Sequence, residues 1–490
     1  MQQYKSKNHM SNPKIRKKMK KSVLKISSVL LLSLMIGFTA CEDDNNDDPT
    51  PGNENPQEET FAYMSAYVEG DQGSLPSDYV TQLEEHFNNN GNAVDSTGML
   101  SLSYDDILNT IIPAQGEAGD GEALSGDHFI ESVSYQGAFE PGASSNWASW
   151  TLTYGMEDYK NGSYTYNNMD VDTISSNITS DQTWNKETLY KLDGFIFVTE
   201  GATLTIEAGT MIQGLPGQQE NASALIVARD GMIDAQGTAE MPIVFTGEGD
   251  NYEGTSYGEK VSGLWGGLIV LGSAPNNNPS NDYRVEGIPE DDAYPAQYGG
   301  DAADDNSGVF KYISIRHGGT NIGQGNEING FTLGSVGNGT TIDQIEVISN
   351  VDDGVEWFGG TVNTRHLFVA YCGDDAYDYD EGFQGKGQFW AAIQAEGTGG
   401  RLGEHDSGGD GEGSEPYSKP MIYNATYIGN GGDLITFRDD AGGTYANSIF
   451  YNTGSGIEIE YREDKHSSWN QFADEGNLVI KNNILKNVGN

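Results

Sequence analysis

The chain has 490 residues, 65 of them Gly and 26 Tyr, and only 20% carry charge. That composition suits many short strands joined by tight turns and argues against a helical bundle. The formal charge is −47, and nine Lys and Arg precede residue 26 while no acid precedes Glu42, so the part beyond residue 40 sets 17 basic residues against 73 acids. A surface this acidic excludes nucleic acid as a partner and attracts Ca²⁺ and other cations.

In chain order, Lys14, Arg16, Lys17, Lys18, Lys20 and Lys21 form a basic region, and the apolar run "VLKISSVLLLSLMIGFTA" leads from it to Cys41. This reads as a secretory signal over residues 1–40. "FTAC" resembles the lipoprotein box of bacteria, which implies acylation at Cys41 and a membrane anchor. Residues 41–60, "CEDDNNDDPTPGNENPQEET", are acidic and rich in Pro and Asn, the composition of a disordered tether. An acidic tract after a lipidated Cys resembles the export signal of surface lipoproteins in Bacteroidota, which implies a place outside the outer membrane. Only Cys372 remains beside Cys41, so no internal disulfide is expected; Cys372 reads as a small buried residue.

Residues 61–155 read as a small accessory or cap region. "SDYVTQLEEHF" predicts a helix with Ser77 as N-cap and Val80, Leu83 and Phe87 on one face. "SYDDILNTIIP" predicts another, from Ser103 to the residue before Pro113. "HFIESVSYQGAF" (128–139) alternates like a strand.

Residues 156–490 are expected to be a parallel β-helix. "GFIFVTEGATLTIEAGTMIQG", "SALIVARDGMIDAQGTAEMPIVFTG" and "LWGGLIVLGSA" hold apolar runs of strand length bounded by Gly or Asp. A period then emerges. Ile345, Val347, Val355 and Trp357 map onto Leu367, Val369, Tyr377 and Tyr379 at a spacing of 22. Tyr427, Ile428, Asn430 and Ile435 map likewise onto Ile449, Phe450, Asn452 and Ile457. A period of this length built of strands and turns means a solenoid, with one side of each strand facing a continuous core. Asn350, Asn430 and Asn452 are expected at one inward slot. The class is all-β, and the pattern resembles the right-handed parallel β-helix. The closing "NLVIKNNILKNVGN" reads as one more coil with no cap after it. The phrases "LDGFIFVTEGATLTIEAGTMIQG", "LWGGLIVLG", "RHGGTNIGQGNEINGFTLG", "DDGVEWFGGTVNT" and "GEHDSGG" resemble a group of Bacteroidota surface lipoproteins of β-helix, pectin-lyase-like type. That resemblance implies fold and location, and no reaction.

Stacked coils lie about 4.8 Å apart. Asp352 and Asp353 therefore fall under Asp374 and Asp375, and Glu356 under Asp378, with Asp380 nearby. So many carboxylates must hold a proton, splay apart or bind a cation. Asp pairs with turn carbonyls meet the oxygen requirement of Ca²⁺, so Asp352, Asp353, Glu356, Asp374, Asp375, Asp378 and Asp380 are candidate ligands. The bland alternative is that each Asp caps its turn by bonding backbone amides. "VDDGVE" followed by "GDDAYD" is also similar to the polygalacturonase pattern, which implies acid–base roles for Asp353, Asp374 and Asp375 if the protein is an enzyme. That pattern also needs a Gly-His-Gly and an Arg-x-Lys, and both are absent here. A lyase would pair Ca²⁺ with a base, and Arg365, Lys386 and Arg438 are the nearby basic residues. Arg365, Lys386, His405 and Arg438 are candidate substrate contacts. Glu404, His405 and Asp406 sit in a long Gly-rich stretch (Ala395 to Ser418) and read as solvated loop residues. Arg316 and His317 read as an outward pair on a strand.

The sequence thus points to a lipid-anchored cell-surface protein that binds extracellular material, polysaccharide above all, with Ca²⁺ as helper. A carbohydrate-active enzyme and a purely structural or adhesive solenoid are the alternatives.

Overall fold

Short strands recur along the chain, and those of the two large sheets pair in parallel, coil upon coil; only Tyr283–Arg284 with Gln297–Tyr298 and Asn321–Gly323 with Asn326–Glu327 pair antiparallel among the described residues. The computed structural model describes residues 66–70, 74–95, 129–141, 146–153 and 169–489, less 281–282, 290, 292, 324–325, 396, 398, 409–413 and 464. The signal, Cys41, the tether and the helix expected from Ser103 lie outside the described residues. No helix among the described residues is long and apolar enough to cross a membrane.

Ten strands make one sheet. They are β1 (Ala66–Gly70), β2 (Phe195–Val198), β3 (Ala224–Val227), β4 (Leu268–Leu271), β5 (Phe331–Gly334), β6 (Val355–Phe358), β7 (Tyr377–Asp380), β8 (Arg401–His405), β9 (Asp433–Phe437) and β10 (Ile457–Tyr461). Their spatial order runs from β2 through β10 and ends on β1. An eighteen-stranded sheet wraps the rest of the coil; its longest members are Gly308–Arg316, Thr341–Ile348, Thr364–Ala370 and Lys386–Ile393. This is an all-β parallel β-helix.

The period of 22 is the register between β6 and β7, where Val355 pairs with Tyr377 and Trp357 with Tyr379. It also joins Ile345 to Leu367 and Val347 to Val369. The later match needs a correction. Ile435 does pair with Ile457, but Tyr427 pairs with Phe450 and not with Ile449. The turn between Ile428 and Ile435 is one residue longer than that between Tyr451 and Ile457, so the two sheets run in different registers. By the same count Gly429, not Asn430, is level with Asn452. Asn350 sits one position past Ser349, the residue level with Asn452.

Inside the coil, alternate side chains stack by ring. Trp357 lies on Trp390 at 4.9 Å, Trp390 on Tyr377 at 4.9 Å, and Tyr379 on His405 at 3.9 Å. Cys372 is buried, as expected.

The N-terminal segment closes the far end of the solenoid. β1 pairs residue for residue with β10, the last strand of the sheet, and Ala93–Asp95 pairs with Ile484–Lys486. Between them α1 (Tyr79–Asn89) buries Leu83 and Phe87 over the final coils; its N-cap is Asp78, one residue after the predicted Ser77. An unpaired edge invites pairing with other chains, and covering it is a common remedy. Residues 129–141 are an irregular strap, not the predicted strand. Their amides are taken up singly: Glu131 N–H donates to Gln388 Oε1 at 2.8 Å, Gly137 N–H to Asn447 O at 2.7 Å, and Ala138 N–H to Thr426 Oγ1 at 2.8 Å.

Candidate metal centre on the outer face of the ten-stranded sheet

Strand geometry points every second residue of the sheet away from the core. On β2 to β4 the outward residues are apolar: Phe197, Ile226, Ile269 and Leu271. They are buried beneath Val285, Ile288, Ala296 and Tyr298 of the segment 283–298. Beyond β5 the face turns acidic. One outward column reads Thr332, Glu356, Asp378, Glu404, Thr436, Glu458 and Tyr67; the next reads Phe358, Asp380, Asp406, Arg438, Glu460 and Glu69. Glu404, His405 and Asp406 therefore alternate at a strand end, where the sequence suggested a solvated loop.

The turn entering each of these strands carries its own ladder. Asp353 N–H donates to Asn329 Oδ1 at 3.2 Å, Asp375 N–H donates to Asp353 Oδ1 at 2.8 Å, and Arg401 N–H donates to Asp375 Oδ1. Asp353 and Asp375 thus cap turns, each satisfying the coil above. This bonding commits two of the three acids that the polygalacturonase pattern would use as an acid–base set.

Turn capping does not account for the rest. Ligand oxygens of Asp353, Glu356 and Asp378 lie within 4.8 Å of one another, and so do those of Asp352, Asp353 and Asp374. These clusters could hold a metal ion. Asp353 belongs to both. Asp375 and Asp380 stand outside the two triads; Asp380 Oδ1 accepts from Glu381 N–H at 2.5 Å. Glu356 and Asp378 are 7% and 9% exposed, and Asp378 Oδ1 has no hydrogen-bond partner among the described residues.

The electrostatics are those of a crowded, dry anion site. Burial, then the neighbouring carboxylates, pushes Asp352, Asp353, Glu356 and Asp378 well above the ordinary range. Asp375 and Asp380 rise for the same first reason, burial. Burial likewise pushes Glu286 to about 8. The basic residues sit to one side. Arg438 lies 2.9 Å from Asp406 and 3.1 Å from Glu404, and Arg401 lies 2.6 Å from Glu404.

The other expected contacts fall elsewhere. His405 points into the core at 0% exposure, with Nε2 2.8 Å from Tyr445 Oη, so it does not reach the outer face. Arg365 and Lys386 belong to the second sheet; Arg365 pairs with Glu131 of the strap at 2.7 Å and lies over the Phe129 ring. Arg438 alone of the four stands on the acidic face. Arg316 and His317 are buried, not an outward pair.

Sequence reasoning missed Glu286 and Asn329. Asn329 Nδ2 donates to Glu286 Oε1 at 3.2 Å and also to Glu356. Asn329 occupies the Asp353 slot one coil earlier, so its +24 spacing was a legible signal. Glu286 arrives from a covering segment with no period.

A parallel β-helix with an acid-lined outer sheet defines the class of protein. Within that class the chain belongs to the family of pectate-lyase-like β-helix domains, whose family model matches residues 176–490. No curated protein and no solved structure matches the chain. Membership of this family allows a carbohydrate-related role.

Proposed function

We propose that this protein binds acidic polysaccharide outside the cell through a divalent cation, Ca²⁺, seated on the Asp353, Glu356 and Asp378 carboxylates. One observation carries this reading: three largely buried carboxylates converge within 4.8 Å with no basic side chain among the principal charges acting on them. A cation offsets their repulsion, and Ca²⁺ accepts the 6 to 8 oxygens that Asp352, Asp374 and a uronate carboxylate help to complete. Arg401 and Arg438 extend the same face; neighbouring carboxylates hold both guanidiniums above their ordinary value. They serve as charged contacts for sugar hydroxyls and carboxylates, not as bases. The signal and "FTAC" at Cys41 support a lipid anchor, with the domain displayed outside the outer membrane.

A purely structural solenoid is the second reading, favoured by the amide ladder of Asp353 and Asp375. It leaves Glu356 and Asp378 without a reason. The discriminating experiment is a Ca²⁺ titration of melting temperature and of polygalacturonate binding, in wild type and in Glu356→Gln/Asp378→Asn. A Ca²⁺-dependent rise and Ca²⁺-dependent binding, both lost in the variant, are expected. No response of the wild type to Ca²⁺ returns the acids to scaffolding.

A further inference from the structure

The strap crosses the eighteen-stranded sheet along a slot that carries, in register, His366, Phe389, Asn424, Asn447 and Asn482. The three Asn bond along the slot or to the strap: Asn482 Nδ2 donates to Asn447 Oδ1 at 2.7 Å, and Asn424 Nδ2 donates to Tyr135 O at 3.0 Å. On the two earlier coils the slot holds rings, and the strap adds more. Phe389 stacks on His366 at 5.0 Å and on Tyr135 at 6.3 Å, and Trp147 meets His366 at 5.1 Å.

These four rings, with Glu140 and Asn146 of the strap, line an open pocket of about 470 Å³. The volume is that of a small-molecule site. Its walls are fixed in advance. Trp147 Nε1 donates to Ala138 O at 2.8 Å and its ring stacks on Phe139 at 5.4 Å, while Gln388 Nε2 donates to Glu131 O at 2.8 Å. A preformed wall lowers the ordering cost of binding.

Three polar groups of the pocket are accessible and unengaged among the described residues. His366 Nδ1 lies 2.8 Å from Asp343 Oδ1, and a carboxylate only accepts, so Nδ1 carries the proton and Nε2 of the neutral ring is an acceptor. The His366 side chain keeps 18% exposure, and Nε2 is neither hydrogen-bonded nor among the buried atoms. The half-buried Tyr135 hydroxyl is likewise open; burial, then Glu140 and Glu131, pushes it up to about 12, so it stays a donor. Glu140 is exposed and has no ion pair, whereas Glu131 is held by Arg365 at 2.7 Å. No Lys or Arg lines the pocket among the described residues, so Glu140 disfavours an anion. An organic cation needs open ring faces, and these rings are stacked on one another. Donor, acceptors and half-exposed ring surface together suit an uncharged molecule rich in hydroxyls with one apolar face.

We propose that this pocket binds an uncharged pyranose sugar, with one hydroxyl donating to His366 Nε2, another accepting from Tyr135 Oη, and the C–H face of the ring against Trp147. The site lies on the other sheet from the acidic face and needs no cation.

The test is a saturation-transfer NMR titration of the full chain in EDTA at pH 8, where an ordinary imidazole is neutral. The probes are the methyl glycosides of glucose, galactose and mannose, those of the three matching uronic acids, and tetramethylammonium. A neutral glycoside is expected to bind about fivefold more tightly than its uronate, the worth of one unfavourable exposed charge. Glu140→Gln alters only an exposed side chain and should lift the uronate to the level of the neutral sugar. His366→Asn installs the residue that the slot carries at positions 424, 447 and 482, so it should fold. Its shorter side chain should weaken binding about fivefold, the worth of one net hydrogen bond. Glu356→Gln/Asp378→Asn should leave binding unchanged, which separates this site from the acidic face. The proposal is overturned if no neutral glycoside binds, if a uronate binds as well in wild type, or if tetramethylammonium displaces the sugar. Full-strength binding in His366→Asn, a preference untouched by Glu140→Gln, or binding lost in Glu356→Gln/Asp378→Asn overturns it too.

Discussion

His405 provides a sharp test because it sits inside the coil. Its ring stacks on Tyr379 at 3.9 Å, its Nδ1 donates to the Glu404 carbonyl, and its Nε2 accepts from Tyr445 Oη at 2.8 Å. Burial pushes its pKa from 6.5 down to about 3. The folded value is depressed, so as pH falls the unfolded chain takes up the proton first. The neutral ring's stability is fully present above pH 6.5 and is lost as pH falls toward about 3. At pH 4 the loss is about 3 kcal/mol. The perturbation is His405→Phe, which keeps the ring stack and removes the titration. Tyr445 Oη loses one partner but keeps Tyr427 Oη at 3.2 Å, so the variant should cost about 1 kcal/mol at pH 7.5. At pH 4 the order reverses, with the variant more stable than wild type by about 2 kcal/mol. Urea unfolding at the two pH values, followed by tryptophan fluorescence, measures this difference. The many acids titrate in both proteins and cancel in the comparison. A variant-to-wild-type difference that does not change with pH would refute the placement of His405 in the core.

Further outcomes follow from other parts of the molecule. Asp375→Asn keeps an acceptor for the Arg401 amide and should be nearly neutral without cation, whereas Asp375→Ala orphans that buried amide and should lower stability by about 1–3 kcal/mol in thermal unfolding. The cap strand is held in part by Tyr67 Oη donating to Glu458 at 2.5 Å and by Glu69, whose hydrogen bond to Glu458 pushes it up to about 8. An acid with a raised folded value favours folding at low pH, and that favour is lost as pH rises through the window from 4.5 to about 8. Limited proteolysis around residues 66–70 should therefore speed up between pH 5 and 8 in wild type and much less in Glu69→Gln; equal rates would remove the shared proton from the account. A chain lacking residues 59–95 bares the β10 edge and should aggregate on mild heating, read by light scattering; an unchanged monomer would mean that the edge needs no cover. Lipid attachment is tested by labelling cells with a fatty-acid analogue: label should appear on wild type and be absent from Cys41→Ala.

Much of the architecture was written in local order. Alternating apolar runs and the period of 22 determined that the chain coils, that Trp357 and Tyr379 face inward, and that Glu356 stacks under Asp378, because parallel pairing in register converts sequence spacing directly into position. The same logic failed by one residue at Tyr427, where a turn one residue longer changed one sheet's register and not the other's. It failed at His405, whose inward direction depends on where β8 begins within a Gly-rich stretch that shows no period. Tertiary structure alone decided what lies far apart in sequence: β1 on β10, Glu286 beside Asn329, and Glu131 on Arg365. These contacts join an aperiodic segment to a periodic one. No spacing encodes them, and they arise from what each segment covers: an open sheet edge, an apolar half-face, and turns whose rings need a wall.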